Sequence, residues 1–269
     1  KPERVATRVE EIKRGGGTAA VSFVPQNAKR MAPLAVEAGA DMIVVQATVV
    51  TARHSSKSLK GLIFSDLIKD IDVPILVGNT VSYEVTKELM QQGIHGVLVG
   101  VGPGSVCTSR EVLGIGIPQV SATIECAAAR DDFLKETGKY IPIITDGGIR
   151  TGGDVCKSFA AGANAVMIGS PFAKCEEAPA KGYHWGMATW HESLPRGTRI
   201  KMGTEYSLHQ LLYGPSSRTD GTLNLVGALQ VCMGYVGAEN LREMNNARMV
   251  YAPAMKTEGK IYQAAGLGF

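Results

Sequence analysis

Short runs of apolar residues alternate with segments of helical periodicity along the chain up to about residue 170. The apolar runs predict six strands, at residues 19–24, 42–46, 75–78, 97–100, 142–145 and 166–169. Each run is apolar throughout and is bounded by glycine, proline or a polar residue, as is typical of strands buried on both faces. Because helical segments separate the strands, we expect an α/β fold with a parallel sheet covered by helices on both sides.

A glycine marks the passage from helix to strand at three places, Gly39, Gly93 and Gly162. Glycine suits a helix end because it adopts positive φ without steric cost. Repeated strand and helix units favour a (β/α)8 TIM barrel, and a doubly wound sheet is the alternative. A barrel needs eight strands, and residues 2–14 already predict an amphipathic helix. We therefore expect the first two strands to be missing from this chain and to lie upstream of Lys1.

A single catalytic barrel domain, N-terminally incomplete, is expected over residues 1–269. The regular alternation stops beyond residue 174, where glycine, proline, serine and charged residues become frequent. These segments predict loops that form a flap over about residues 182–223. A helix near residues 226–234 follows, and a tail occupies about residues 245–269.

The composition excludes several classes of protein. Hydrophobic residues make up 45 % of the chain, and the formal net charge is only +3, with lysine and arginine scattered rather than clustered. Without a basic stripe, no nucleic-acid partner is expected. No apolar run reaches membrane-spanning length, and the start does not resemble a signal peptide. We therefore expect a cytoplasmic protein that binds no membrane.

The five cysteines show no paired or CxxC spacing, which argues against a disulfide framework and against a structural zinc site. Cys126, Cys156 and Cys232 lie in helical segments and are interpreted as small core residues. Cys175 follows a predicted strand, and the pattern leaves its role open. Cys107 differs because it stands in a glycine-rich loop after a strand, where backbone N–H groups stabilise a thiolate that substrate can still reach.

Small and polar residues follow the predicted strands: Gln46, Ala47 and Thr48; Gly78, Asn79 and Thr80; the loop over residues 100–107; Asp146, Gly147 and Gly148; and Gly169 and Ser170. In a barrel these positions form the active site. A carboxylate at Asp146 would accept hydrogen bonds from a ribose diol, while the glycines and Ser170 would cradle a phosphate. The alternative is that the glycines only satisfy tight turns.

The sequence argues against two other kinds of site, a dinucleotide-binding motif and a metal site. The cysteine loop is not a dinucleotide fingerprint, because Cys107 stands where the third glycine belongs and no acidic residue ends the next strand. The histidines show no metal spacing and are interpreted as surface or loop residues. Among them, His184 lies in the flap and is the one expected to have a chance of touching substrate.

The loop from Gly102 to Arg110, the Gly114-Ile-Gly-Ile-Pro-Gln segment, the Asp146-Gly-Gly-Ile turn and the Val166-Met-Ile-Gly-Ser segment together resemble the IMP dehydrogenase/GMP reductase family. The match is nearest to the short IMP dehydrogenase-related branch without CBS domains. The resemblance implies a (β/α)8 barrel, commonly a homotetramer, that binds a purine nucleoside monophosphate.

Two reactions are implied by this resemblance. The first is NAD-dependent oxidation of IMP to XMP through a covalent thioimidate on Cys107, a step of guanine nucleotide biosynthesis. The second is reduction of GMP to IMP with NADPH. A catalytically silent purine-nucleotide-binding protein is a third hypothesis, because several accessory positions have changed. The intact loop around Cys107 argues against it.

The resemblance also implies a role for each matching residue. Catalysis would involve Cys107 and Ser109. Substrate would be held by Ser105, Asp146, Gly147, Gly148, Gly169, Ser170, Gly186, Met187 and Arg196. The NAD cofactor would be bound by Gln46, Thr48, Asn79 and Gly100, of which Asn79 and Gly100 would border the nicotinamide. Potassium would be held by the carbonyls of Gly102, Gly104 and Cys107, completed by Glu258 of a C-terminal segment.

Several positions depart from the family pattern. Gln46 replaces an aspartate that contacts the cofactor, and Arg196 stands where glutamate or glutamine meets the base. The Arg-Tyr pair that activates water is absent from the flap, so Arg196 or Arg199 is the candidate for that task. Lys260 replaces a glycine after Glu258, and its ammonium is an alternative to potassium.

Overall fold

The computed structural model describes residues 2–52, 61–186 and 199–251. Six strands form one parallel sheet in sequence order, each hydrogen-bonded to the next. They are β1 (Ala20–Phe23), β2 (Met42–Gln46), β3 (Ile75–Thr80), β4 (Gly96–Val99), β5 (Ile143–Asp146) and β6 (Ala165–Met167). The α/β prediction is confirmed, and all six predicted strands are present within two residues of their predicted bounds.

Helices connect the strands and follow the sheet. They are α1 (Pro2–Arg14), α2 (Pro25–Glu37), α3 (Phe64–Lys69), α4 (Tyr83–Gln91), α5 (Ser109–Leu113), α6 (Gln119–Thr137), α7 (Gly152–Ala160), α8 (Ser170–Ala173), α9 (Leu208–Tyr213) and α10 (Leu225–Val236), with a 3-10 turn at Glu243–Asn246. None of the helices in the described ranges is long and apolar enough to cross a membrane.

The sheet matches part of a (β/α) barrel. In the described ranges, β1 and β6 each pair with a neighbour on one side, so the six strands form an open arc. The expectation that two further strands lie upstream stays a prediction, as does the assignment of the whole chain to one domain. Part of the segment over residues 182–203, which was expected to form loops, is instead β-structure. Strands β7 (Tyr183–Trp185) and β8 (Arg199–Lys201) form an antiparallel pair there, and α9 follows.

The two faces of the sheet carry different side chains. Ile43, Val45, Ile75, Val77 and other residues of the same parity pack against the helices in the main core. The intervening residues Val44, Leu76 and Leu98 form a second, smaller cluster on the opposite face. On that face Gly96 pairs with Leu76 and Gly78 pairs with Leu98 across β3 and β4. A Cβ at either glycine would come within 2.5 Å of the opposing leucine, so large and small residues alternate to fill this face.

Local sequence determines where the helices begin and end. Thr151 and Asp154 form a reciprocal capping box at the start of α7, which stands directly after the Asp146 turn. The three glycines predicted to end helices all have positive φ: Gly39, Gly93 and Gly162. Such stops let the chain turn at once into the next strand.

A buried arginine ties α6 to the amino-terminal ends of β5 and β6. Arg130 is 4 % exposed, and its Nη1 donates to the carbonyl oxygen of Gly162 at 2.6 Å and to Oδ1 of Asn164 at 3.1 Å. Asn164 Oδ1 also accepts the backbone N–H of Ile143 at 2.9 Å. Every one of these acceptors would lose a partner if the guanidinium were removed.

Replacing Arg130 by methionine should therefore lower the free energy of unfolding by about 2–3 kcal/mol, since charge-assisted bonds to buried acceptors are lost. Urea denaturation measures the change. Arg8→Met on the exposed face of α1 is the matched control and should change stability by less than about 0.5 kcal/mol. Equal effects of the two substitutions would contradict the role of Arg130.

Candidate functional site

A cavity of about 600 Å³ lies at the carboxyl ends of β2 to β6. Its size is that of small-molecule sites in proteins. The loops after these five strands line it, so the small and polar residues that follow the strands meet at one edge of the sheet. The lining includes the sequence-predicted residues Gln46, Thr48, Asn79, Gly100, Gly102, Gly104, Ser105, Cys107, Ser109, Asp146, Gly147, Gly148, Gly169, Ser170 and Gly186.

The cysteine loop runs from the end of β4 to the start of α5. Cys107 is partly buried and lines the cavity, and its backbone N–H donates to the carbonyl oxygen of Gly104 at 3.0 Å. The loop begins at Gly100, whose φ is 147° and whose Cβ, if present, would lie 2.2 Å from the carbonyl oxygen of Asp146. Only glycine lets β4 leave the sheet this close to β5.

The loop after β5 packs directly beneath the cysteine loop. A Cβ at Gly147 would lie 3.0 Å from Cγ of Pro103, and one at Gly148 would lie 3.2 Å from Cβ of Pro103. Both glycines have positive φ, 96° and 77°. This close packing brings the Cys107 loop and the Asp146 carboxylate to one cavity.

Two amides hold the carboxylate of Asp146. Nε2 of Gln46 and Nδ2 of Asn79 both donate to its Oδ2, each at 2.8 Å. Gln46 Nε2 also donates to Oδ1 of Asn79 at 3.0 Å. Gln46 is 7 % exposed and Asn79 is 6 % exposed, so the network is shielded from water on the side of β2 and β3.

Burial is the main influence on the acidity of Asp146. Desolvation raises its pKa above the ordinary aspartate value, and the hydrogen bonds from Asn79 and Gln46 offset this only in part. The amides favour the ionised form because they donate to it. An acceptor of raised basicity at this position is suited to the hydroxyl groups of a ligand.

Three other side chains that line the cavity form a hydrogen-bonded chain. Ser105 Oγ bonds to Ser170 Oγ, and Ser170 Oγ bonds to Nδ1 of His184 at 2.9 Å. The imidazole covers Gly169, where a Cβ would lie 2.9 Å from its Cε1. Burial lowers the pKa of His184, so the ring is neutral at neutral pH. This group of hydroxyls beside the short helix α8 can accept and donate hydrogen bonds to a phosphate.

Three buried oxygens on residues lining the cavity have no hydrogen-bond partner in the described part of the chain. They are Thr48 Oγ1, Ser109 Oγ and Gln119 Oε1. Ser109 is fully buried at the first turn of α5. Buried polar atoms are nearly always hydrogen-bonded in proteins, so these positions are suited to contact a bound molecule or water.

Some predicted residues cannot be placed. Met187, Arg196 and Glu258 lie outside the described residues. Arg199 is described, and its guanidinium stacks on the rings of Tyr183 at 4.1 Å and Trp185 at 5.3 Å in the β7–β8 pair. It therefore stands near the mouth of the cavity, of which Trp185 is a part.

The other cysteines and two histidines match their predicted roles. Cys126 and Cys156 are buried, and Cys232 packs against a core cluster. Cys175, left open by the sequence, is also a core residue and is 2 % exposed. His95 is exposed, and His209 bonds through Nδ1 to the carbonyl group of Gly214. No group of three or more potential metal-binding side chains occurs among the residues the structure describes.

Sequence reasoning missed the partners of the predicted residues. It did not connect Gln46 and Asn79 with Asp146, and it did not place Arg110, whose side chain crosses Gly102 and Gly116 and donates to the carbonyl of Ile117 at 3.0 Å. The available signal was positional, because Gln46, Asn79 and Asp146 all stand at strand ends. A single sequence does not show which side chains form hydrogen bonds with each other across three strands.

Comparison with known proteins gives consistent results. Residues 4–202 match the model of the IMP dehydrogenase / GMP reductase domain. An uncharacterized oxidoreductase of Mycolicibacterium smegmatis is 40 % identical over 246 residues, covering 90 % of this chain and 66 % of that protein. Inosine-5'-monophosphate dehydrogenase of Cryptosporidium parvum is 34 % identical over 235 residues, covering 79 % of this chain and 55 % of that protein.

A solved structure has the same fold. The IMP dehydrogenase/GMP reductase-like protein from Corynebacterium glutamicum matches with a TM-score of 0.83 and 35 % identity, over 92 % of this chain and 65 % of that one. The chain thus spans less than two thirds of the length of these three proteins. Because the family model covers most of the chain, the protein belongs to the IMP dehydrogenase/GMP reductase family of oxidoreductases.

Proposed function

We propose that the protein oxidises IMP to XMP with NAD through a covalent intermediate on Cys107. The observation that carries the proposal is the convergence of Cys107, the Asp146 carboxylate and the Ser105–Ser170–His184 chain on one cavity. A nucleophile, a diol acceptor and a phosphate cradle are what a purine ribonucleotide requires. Guanine nucleotide biosynthesis, cytoplasmic location and a homotetrameric assembly belong to the same proposal.

The substrate would lie across the cavity with its phosphate at the serines. Ser105, Gly148, Gly169 and Ser170 would bind the phosphate, and Asp146 would accept hydrogen bonds from the ribose hydroxyls. The base would then extend over Cys107, bordered by Gly186 and the flap residues Met187 and Arg196. This orientation keeps the phosphate on the neutral serines and places the ribose hydroxyls, which are donors, at the carboxylate of Asp146.

Cys107 performs the covalent step. Its thiolate sulfur forms a bond to C2 of the hypoxanthine ring, which converts one difficult substitution at C2 into two easier steps. After hydride leaves C2, the sulfur is held in a thioimidate; water then adds to C2, the C–S bond breaks, and the thiol returns with release of XMP. Ser109 stands two residues from the nucleophile with a buried, unpartnered hydroxyl, which suits it to assist the water.

In this proposal the nicotinamide of NAD would be bound in the same cavity. Thr48, with its unpartnered Oγ1, lines the cavity together with Asn79 and Gly100, and a polar lining of this kind suits an amide-bearing ring. When bound, NAD supplies the acceptor for the hydride that leaves C2.

Potassium fits the described residues less well. The carbonyl oxygen of Gly104 already accepts the N–H of Cys107, and the guanidinium of Arg110 lies against Gly102, where a Cβ would meet its Nε at 2.8 Å. A fixed cation beside the loop disfavours a second one through charge repulsion. No step of the proposed mechanism passes through potassium.

Reduction of GMP with NADPH is the second candidate function. It is favoured by the flap sequence, because the segment between Trp185 and Arg199 contains no Arg-Tyr pair to activate water. In that reaction the sulfur of Cys107 would bond to the same carbon and ammonia would leave. Hydride supplied by NADPH would then add to C2, the C–S bond would break, and the thiol would return with release of IMP. A nucleotide-binding protein without catalysis is the third candidate.

The two reactions are separated by following reduced nicotinamide absorbance with IMP plus NAD and, in a second reaction, with GMP plus NADPH. We expect a signal in the first assay. A signal only in the second assay would replace the proposal with GMP reduction. Nucleotide binding without a signal in either assay would leave the silent binding protein.

Replacing Cys107 by alanine should reduce turnover to background while the dissociation constant for IMP stays within about threefold, because the thiol is needed for bond formation and contributes little to binding. Steady-state kinetics and calorimetry measure the two quantities. Cys232→Ala on α10 is the matched control and should keep full activity. Turnover that survives in Cys107→Ala would exclude the covalent mechanism.

The raised pKa of Asp146 leads to a pH-dependent stability prediction. The folded state holds the proton more tightly than the unfolded state, so wild-type stability falls as pH rises through the folded-state pKa. The Asp146→Asn variant has no carboxyl group to ionise and therefore does not lose this stability. The difference between its Tm and that of wild type should be more positive at about pH 8 than at about pH 4. Its affinity for IMP should fall by about tenfold to a hundredfold through loss of the charged acceptor.

Scanning calorimetry at the two pH values and IMP titration test this pair of effects. Glu88→Gln on α4, outside the cavity lining, is the control and should change neither IMP affinity nor its pH dependence. A variant of Asp146 with unchanged IMP affinity would remove this residue from the site.

A further inference from the structure

We propose that Gln46 is a positioning residue for Asp146, and that it acts on ribose recognition rather than as a contact of the nicotinamide. The inference rests on the proposed function in one respect, which is that Asp146 accepts hydrogen bonds from the ribose hydroxyls. It differs from the role implied for this position by family resemblance, where an acidic residue contacts the cofactor.

The hydrogen bonds of Gln46 account for both hydrogens of its amide nitrogen. Nε2 donates to Asp146 Oδ2 at 2.8 Å and to Asn79 Oδ1 at 3.0 Å. An NH2 group has two hydrogens, so it has none left for a ligand. The opposite amide orientation is excluded by charge, because it would place Oε1 of Gln46 against the carboxylate oxygen.

The network also limits what Asp146 can offer. Its Oδ2 receives two donors, from β2 through Gln46 and from β3 through Asn79. The carboxylate plane is thereby held by two neighbouring strands, and Oδ1 is the oxygen left to accept from a ligand. A ligand must approach with donors, as a vicinal diol does. Gln46 therefore contributes to ribose recognition indirectly, because it orients the Asp146 carboxylate that accepts the hydrogen bonds.

The remaining charged groups around the cavity do not substitute for Gln46. Arg110 donates to Ile117, Arg150 pairs with Asp154 on α7, and His184 bonds to Ser170. Cys107 completes the titratable groups on the lining. The hydrogen bonds described to the carboxylate of Asp146 come from the two amides, so a charge introduced at residue 46 would act on Asp146 directly.

Gln46→Glu tests the inference with an almost unchanged shape. A carboxylate oxygen in place of Nε2 would lie about 2.8 Å from Asp146 Oδ2. At about pH 5.5 the two carboxyl groups would share a proton and keep a hydrogen bond, whereas at about pH 8 they would repel each other. Affinity for IMP should be close to wild type at the lower pH and at least about tenfold weaker at the higher pH.

Gln46→Met removes the two donors without adding charge. Affinity for IMP should fall by about three- to tenfold at both pH values, since a hydrogen-bonded position is lost. The preference for IMP over 2'-deoxy-IMP should become smaller, because the Asp146 carboxylate is no longer held in the orientation that accepts a hydrogen bond from the 2'-hydroxyl. In the assay with IMP and NAD, the KM for IMP should rise with little change in the KM for NAD. Gln91→Glu at the exposed end of α4 controls for the added charge and should behave as wild type.

Thermal unfolding provides a readout that needs no substrate. The Tm of Gln46→Glu relative to wild type should fall as pH rises from about 5.5 to 8. A pH-independent Tm difference together with unchanged IMP affinity at about pH 8 would overturn the inference. A rise in the KM for NAD with unchanged IMP affinity would also overturn it and assign Gln46 to the cofactor.

Failure of the proposed function is distinguishable from failure of this inference. If wild-type protein binds neither IMP nor GMP, the proposed function fails, and the pH dependence of Tm alone decides whether Gln46 and Asp146 interact as described. If IMP binds and Gln46→Glu shows the predicted pH dependence without any turnover, the positioning role stands and the catalytic proposal falls.

Discussion

The register of the parallel strands, which includes a shift at Asn79 between β3 and β4, is the constraint on which the site depends. Met167 of β6 pairs with Asp146 of β5, Thr145 of β5 pairs with Val99 of β4, and Gly78 of β3 pairs with Gln46 of β2. A shift of one strand by a single residue would turn every one of its side chains to the other face. The register therefore decides that amides from two strands reach a carboxylate from a third, although the three residues are far apart in sequence.

The arrangement carries a thermodynamic cost. A carboxylate withdrawn from water is less stable than a solvated one, and the two amide donors compensate only part of the loss. The buried oxygens of Thr48, Ser109 and Gln119, which have no hydrogen-bond partner in the described part of the chain, add to the cost at the same cavity. Polar groups that lack hydrogen-bond partners in the ligand-free protein can gain them from a ligand. The same groups therefore lower the stability of the ligand-free protein and raise its affinity for the ligand.

Much of the fold was predictable from the sequence because continuous apolar strands and glycine helix ends are local signals. The six strands and α1 follow directly from them, and so does the meeting of Cys107, Asp146 and Ser170 at one edge. The antiparallel pair β7–β8 was not predictable, since its three-residue strands, Tyr183–Trp185 and Arg199–Lys201, lie within segments rich in loop-forming residues. The burial of Arg130 was also not predictable from the sequence, because a charged residue in a helix is normally expected to face solvent.

The reciprocal leucine and glycine pairs of β3 and β4 have an evolutionary consequence. Leu76 fills the space above Gly96, and Leu98 fills the space above Gly78, which immediately precedes Asn79. A larger residue at either glycine is tolerable only if the opposing leucine becomes smaller at the same time. These four positions are therefore epistatic, and substitution histories in β3 and β4 should be linked. Steric fit thus requires a change at one of these positions to be accompanied by a change at its partner.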